Sequence, residues 1–252
     1  MPLYRTRAVV LRNGHLSDTD KLVTFYTERF GKIKAVAKGA RRIKSRYGAS
    51  LEPLTQVSLI YFGKEHQELY RLRQCDILSP FVSVRSSLAT CFPALYFLEL
   101  IDTLTREGHP DEALYGFLLA SLQALDTVQD TSLLARLFEL RLLSLLGYRP
   151  RFDACVVCRQ IPRPGWIGFS YNKQGILCEP CLVDHPTEIR IQTGTWQYLK
   201  KLLSLEMKFC DRLKPPKEVG EEMERLVHRL VLSRLGRELK SYPLFKESIT
   251  LI

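Results

Sequence analysis

The sequence predicts an α+β protein in which a small five-stranded β-barrel precedes an all-α helical bundle interrupted by a four-cysteine module. Three observations carry this. Residues 4–76 are short β-like runs broken by Gly, Asp and Ser; past Pro80 the apolar period becomes helical; and four of the seven cysteines stand in two tight pairs.

The β-like runs are residues 5–12, 21–26, 31–38, 57–62 and 69–75, five strands in about 70 residues. Alternation is clearest in the third, where Ile33, Ala35 and Ala37 share one face and Lys32, Lys34, Val36 and Lys38 the other. In the fifth, Tyr70 and Leu72 alternate with Arg71 and Arg73. Closure removes exposed strand edges, so a closed or nearly closed barrel over residues 1–79 suits the count.

Residues 80–252 read as helical. One helix covers residues 86–106. The next opens on Pro110, Asp111 and Glu112 and sets Leu114, Phe117, Leu118, Leu122, Leu125 and Val128 at i, i+3, i+4 spacing. A third spans 131–146 and stops at Gly147 and Pro150. All three are Leu-rich and apolar nearly all round, as helices are when they bury against each other in a bundle. Helices at 195–213 and 217–239, separated by Pro215 and Pro216, complete it. Between them, residues 155–185 have too little apolar content to form a core unaided, which marks a separate module at about 151–186.

The chain has 252 residues, 46% hydrophobic and 25% charged, and a net charge of +10. A pI near 9.3 favours an anionic partner, nucleic acid first and an anionic membrane second. The longest uncharged runs, 86–98 and 113–125, are 13 residues each, short of the roughly 18 that span a bilayer. The first 20 residues show no signal-peptide core, so a cytosolic protein is expected.

The charge is concentrated. Arg29, Lys32, Lys34, Lys38, Arg41, Arg42, Lys44 and Arg46 occur with no acidic residue from 29 to 48. Such density repels itself, and phosphates relieve the repulsion by displacing condensed counterions. On a small barrel, a loop carrying these donors next to Tyr47 borders the usual oligonucleotide groove. The plainer reading is a solvated edge strand guarded by lysines. An interfacial membrane helix is disfavoured by the lack of a bulky apolar face.

Cys155 and Cys158, then Cys178 and Cys181, form two C-x-x-C knuckles 19 residues apart, within the range of a four-thiolate zinc site. Four thiolates fill the shell of one ion, so the site reads as structural, and the ion would fold a segment that burial alone cannot. A redox C-x-x-C and iron–sulfur ligation are the competing readings. Cys75, Cys91 and Cys210 read as core residues.

No enzyme motif is present: no Walker A, G-x-G-x-x-G, H-E-x-x-H or G-x-S-x-G sequence. His15, His66, His109, His185 and His228 are scattered and read as surface or loop residues. Asp18 and Asp20 are explained by turn chemistry. Glu99 and Asp102, in an apolar helix, should pair with a basic residue of the bundle or face solvent.

Several segments resemble the bacterial RecO family of recombination mediators. The telling ones are Lys38-Gly39-Ala40-Arg41-Arg42 with Lys44-Ser45-Arg46, Tyr96-Phe97-Leu98-Glu99-Leu100, and Leu145-Leu146-Gly147-Tyr148-Arg149-Pro150 leading into the first cysteine pair. The resemblance implies an N-terminal OB-fold, a helical domain with an inserted zinc module holding one structural ion, and no covalent catalysis. It also implies a nucleoid-associated protein that binds single- and double-stranded DNA and anneals complementary strands. With RecR it would help RecA replace the single-strand-binding protein SSB, whose acidic tail the helical domain would receive; RecF would be met indirectly. Carried onto this chain, Lys38, Arg41, Arg42, Lys44 and Arg46 become the first DNA contacts and Lys32 and Lys34 a second tier. A ribosome-assembly or transcription protein binding RNA through the same parts is the alternative. In the family a glycine commonly follows the second cysteine; here Arg159 does.

Overall fold

The computed structural model describes residues 2–64, 67–184 and 189–250. His66, His185 and the last residues of the cysteine module as drawn to 186 lie outside the described residues. The chain forms two compact units, Met1–Asp126 with Leu239–Ile252, and Thr127–Glu238. This grouping differs from a division at residue 80, because three helices that follow the barrel in sequence and the last helix belong to the same unit as the barrel. No helix among the described residues is long and apolar enough to cross a membrane.

In the first unit, β1 (Leu3–His15), β2 (Lys21–Thr27), β3 (Gly31–Ala37), β4 (Gln56–Phe62) and β5 (Tyr70–Ser79) close into a barrel of order β1-β2-β3-β5-β4, as in an OB-fold. β1 makes closure possible. Its first half pairs with β4 and its second half with β2, with a register shift between Val10 and Arg12 that bends it between them. β3 meets β5 in parallel through Ala35 and Tyr70. Ala8, Val10, Val23, Phe25, Ile33, Ala35, Leu59 and Leu72 point inward and form the core.

A short helix α1 (Val82–Arg85) is followed by α2 (Leu88–Leu104) and α3 (Glu112–Ala124). Ser87 caps α2 through the Ala89 amide, and Asp111 caps α3 through the Leu114 amide at 2.9 Å. Among the described residues Glu99 has no basic side chain as an ion-pair partner. Its carboxylate accepts from the Lys240 amide at 3.1 Å and the Ser241 amide at 2.8 Å, capping α8 (Ser241–Thr250), a helix beyond the last one the sequence predicts, which ends at residue 239. Tyr96 of α2 and Phe245 of α8 stack at 5.1 Å. Asp102 does pair with basic residues, but with Arg12 and Lys32 of the barrel rather than with the bundle.

In the second unit, α4 (Thr131–Leu145) is buried along nearly its whole length and holds the ion pair Arg136–Glu139, Nε to Oε2 2.9 Å. The 155–185 segment contains more regular structure than its composition suggests, and its sheet is completed by a strand just beyond it. β6 (Trp166–Ser170), β7 (Gly175–Leu177) and β8 (Ile189–Gln192) form a sheet of order β7-β6-β8, with a single helical turn α5 (Glu179–Leu182). Strands of three to five residues are too short to show alternation. The expected helix over 195–213 is divided into α6 (Thr193–Ser204) and a 3-10 turn Met207–Arg212, with Leu205 extended between them. Arg141 holds the Leu205 carbonyl there, and Asp211 caps the amides of Gln129 and Asp130. α7 (Lys217–Leu235) stops before residue 239 because Gly236 turns left-handed at φ 69°. His228 is largely buried beside Glu238 rather than on the surface, and burial lowers its pKa.

Candidate nucleic-acid interface and metal centre

The eight cations between residues 29 and 46 do not form one patch. β3 separates Arg29, over the Phe30 ring at 5.5 Å, from residues 38–46 by its own length, about 20 Å. Lys32 is buried. Its ammonium lies 3.5 Å from Asp102 Oδ1 and also donates to the Asp102 carbonyl. Lys34 pairs with Glu107 at 2.5 Å. These two lysines are therefore engaged within the protein, while Lys38, Arg41, Arg42, Lys44 and Arg46 are all exposed at one end of the barrel.

The segment that carries those five is a pinned succession of turns, not a loose loop. Ala40, Arg42 and Ser45 amides donate back to the carbonyls of Ala37, Gly39 and Arg42 at 3.3, 3.1 and 2.9 Å. The β1–β2 turn fastens it from the side. Asp20 Oδ1 accepts from the Gly39 amide at 2.8 Å, the Arg41 amide donates to Thr19 carbonyl at 3.0 Å, and Arg41 Nη1 donates to Ser17 carbonyl at 2.9 Å. Asp20 thus does more than shape its own turn. The Gly39 amide, and then the Thr19 hydroxyl, hold its pKa below the ordinary carboxylate value. A group whose folded pKa is lowered stabilises above its unfolded value, about 3.9, and ceases to do so as pH falls through the folded value. Hydrogen-exchange protection of the Gly39 amide is therefore expected to stay level from neutral pH down to about 4. Asp20→Ala should speed exchange at Gly39 and Arg41 several-fold at all these pH values.

Tyr47 does not stand beside the turn as a free stacking surface. Its ring is in the barrel core, and its hydroxyl donates to the Leu72 carbonyl at 3.0 Å. The guanidinium of Arg46 lies against it, 5.0 Å from the ring centre. β5, whose arginines the sequence does not nominate as nucleic-acid contacts, brings the exposed Arg73 to the same cavity as Arg46.

In the second unit the sulfurs of Cys155, Cys158, Cys178 and Cys181 all lie within 4.8 Å of one another, and Cys158 and Cys178 are 3.5 Å apart. Tetrahedral bonds of about 2.3 Å put thiolates about 3.8 Å apart, so the set fits one metal ion. Two glycines allow the knuckles to lie on the sheet. A Cβ at Gly175 would sit 2.2 Å from Val156 Cγ1, and one at Gly168 2.0 Å from Leu182 Cδ2. Burial opposes ionisation of Cys155, but hydrogen bonds from the backbone of Cys178, Cys158 and Val157 outweigh it and bring the thiol down to about 6. The neighbouring thiol of Cys178, then burial, pushes Cys181 up to about 12. Sulfurs this close resist joint ionisation unless a cation sits among them. Cys75 and Cys210 are core residues, each raised to about 12 by burial.

The first knuckle turns without glycine. Arg159 takes φ 63°, and its amide donates to the Cys155 carbonyl at 2.9 Å. A non-glycine residue there costs about 1 kcal/mol. Arg159→Gly should relieve that strain and raise the chelator concentration needed to strip the metal by roughly fivefold.

Residues 1–81 match the family model for the N-terminal part of recombination protein O, and residues 85–243 the model for its C-terminal part. DNA repair protein RecO of Symbiobacterium thermophilum is 33% identical over 244 residues, covering 96% of each chain. That of Syntrophus aciditrophicus is 31% identical over 248 residues, covering 97% of this chain and 95% of its own, and that of a Thermoanaerobacter species 32% identical over 242 residues, covering 96% of each. A barrel followed by helices, a four-cysteine cluster, and matches that run nearly the whole length together show that the chain belongs to the RecO family of DNA repair and recombination proteins.

Proposed function

We propose that this chain is a recombination mediator that works on the bacterial nucleoid. The observation that carries the reading is the pinned turn with Lys38, Arg41, Arg42, Lys44 and Arg46 exposed together. Fixed, closely spaced cations neutralise phosphates of single- or double-stranded DNA without reading bases, and release counterions when they do. In this reading the barrel, residues 1–79, binds nucleic acid. Residues 80–252 meet protein partners: the SSB tail, RecR and, through them, RecF and RecA. The work done is annealing of complementary strands and handover of single-stranded DNA from SSB to RecA, with no covalent bond made or broken.

The metal in this reading is zinc. Four soft thiolates in tetrahedral proportion suit it, and with no open position it has a structural role. Competition for the protein between single-stranded DNA and a structured RNA of equal length tests the function. DNA retained against RNA supports the mediator; displacement by RNA supports an RNA-binding protein of ribosome assembly or transcription.

A further inference from the structure

We propose that a single strand of nucleic acid runs from the basic turn into a notch on β5, where Arg46 and Arg73 hold its backbone; this rests on the DNA-binding reading above. The notch is a cavity of about 320 Å³ lined by Arg46, Tyr47, Arg73, Gln74, Cys75 and Asp76. Arg46 is held there by Tyr47. Its Nη2 donates to the Tyr47 hydroxyl at 3.0 Å, and that hydroxyl donates in turn to the Leu72 carbonyl of β5.

Arg73 also lines the notch, at a bulge. Ile60 and Tyr61 of β4 face Gln74 and Leu72 of β5, which leaves Arg73 as the extra residue. A bulge re-aims a side chain and interrupts the ladder, and here it exposes Arg73 and Gln74 in succession. Two residues earlier Arg71 is exposed over the Phe62 ring at 5.5 Å, paired in parallel register with Val36 on the strand that leads to Lys38. Lys38, Arg46, Arg71 and Arg73 thus extend the cationic surface of the turn onto β5. Among the described residues none of the four has a carboxylate within ion-pair distance.

Asp76, which accepts from Gln74 Nε2 at 2.6 Å, also lines the notch. A carboxylate there repels phosphate, so the backbone stays on the arginines and the base turns toward Gln74 and Asp76. An unpaired strand can make that turn. A stiff duplex can lie on the protruding turn but cannot lower one backbone into a concavity.

Binding of an oligo-dT strand and of a duplex, each over a salt series, tests this with the full chain. Arg73→Gln is expected to lower the single-strand log–log salt slope by about 0.7 and leave the duplex slope unchanged. An unchanged single-strand slope, or an equal fall for the duplex, overturns the proposal. An equal fall in Arg163→Gln, an exposed arginine of the other unit, also overturns it, because net charge then explains the effect. The DNA-binding reading is judged separately: it fails when glutamates at Arg41, Arg42 and Lys44 change neither slope.

Discussion

Replacing Arg41, Arg42 and Lys44 together by Glu is expected to lower affinity for single-stranded DNA about a hundredfold or more at about 0.1 M salt, and to reduce the log–log salt slope by about 2. The size follows from counterion release. Each phosphate contact on a single strand contributes about 0.7 to the slope, hence about 0.7 log unit of affinity at that salt, and three contacts give about 2. Reversal adds repulsion to the loss. The fold should not change, since all three side chains are exposed and the turn is tied chiefly by backbone groups and by Asp20. A change in unfolding free energy beyond about 0.5 kcal/mol would not be expected of such surface positions. Fluorescence anisotropy across a salt series measures both quantities. A folded variant with unaltered affinity and slope would remove the turn from the interface. Charge reversal at Lys32 should instead act on stability, because its ammonium is buried against Asp102.

The second large effect is expected at the cysteines. Cys178→Ser should abolish stable metal binding and remove hydrogen-exchange protection from the two knuckles, at the amides of Val156, Arg159 and Cys181. These amides donate to the carbonyls of Ile176, Cys155 and Cys178. The knuckles have little else to hold them. Their own apolar cluster consists of Cys155, Leu177, Cys178 and Leu182, with Val156 and Cys181 partly buried against it. Structural zinc contributes on the order of 10 kcal/mol to isolated fingers, far more than so small a cluster supplies. The sheet beneath should survive better, because Ile167, Phe169, Ile176 and Ile191 are fully buried in their own right. Cys91→Ser, outside the cluster, provides the control and should retain one ion per chain. Metal analysis together with exchange at single amides distinguishes the outcomes. Retention of metal and protection in Cys178→Ser would show that the cluster is not the metal centre.

Much of this protein is legible in its sequence, for reasons that differ by element. The five strands of the barrel are found nearly where the alternation puts them, and α3 and α4 begin at Asp111 and Asp130 because a carboxylate cap is a local device. The cysteine cluster is legible because a ligand set is defined by spacing within two short turns. The short strands β6, β7 and β8 are not legible, since three to five residues carry no period and glycines at 168 and 175 serve the knuckles rather than the strands. Helix α8 was hidden for another reason. Its N-terminus is capped by Glu99, 141 residues before Lys240, so no neighbouring residue announces it.

What the sequence determined by itself was the kind of the five barrel strands and of helices α2, α3, α4 and α7, the set of thiolates, and the presence of a cationic segment without acids. These depend on residues a few positions apart, where covalent geometry alone brings side chains together. Which cations face solvent was decided only by the tertiary structure. Lys32 and Lys34 look equivalent to Lys38 along the chain, yet Asp102 and Glu107, about 70 residues further on, neutralise them. Arg73 reads as an ordinary outward strand residue, yet closure of the barrel brings it to the same cavity as Arg46. A charge is available to a partner only when folding leaves it unpaired, and that depends on contacts distant in sequence.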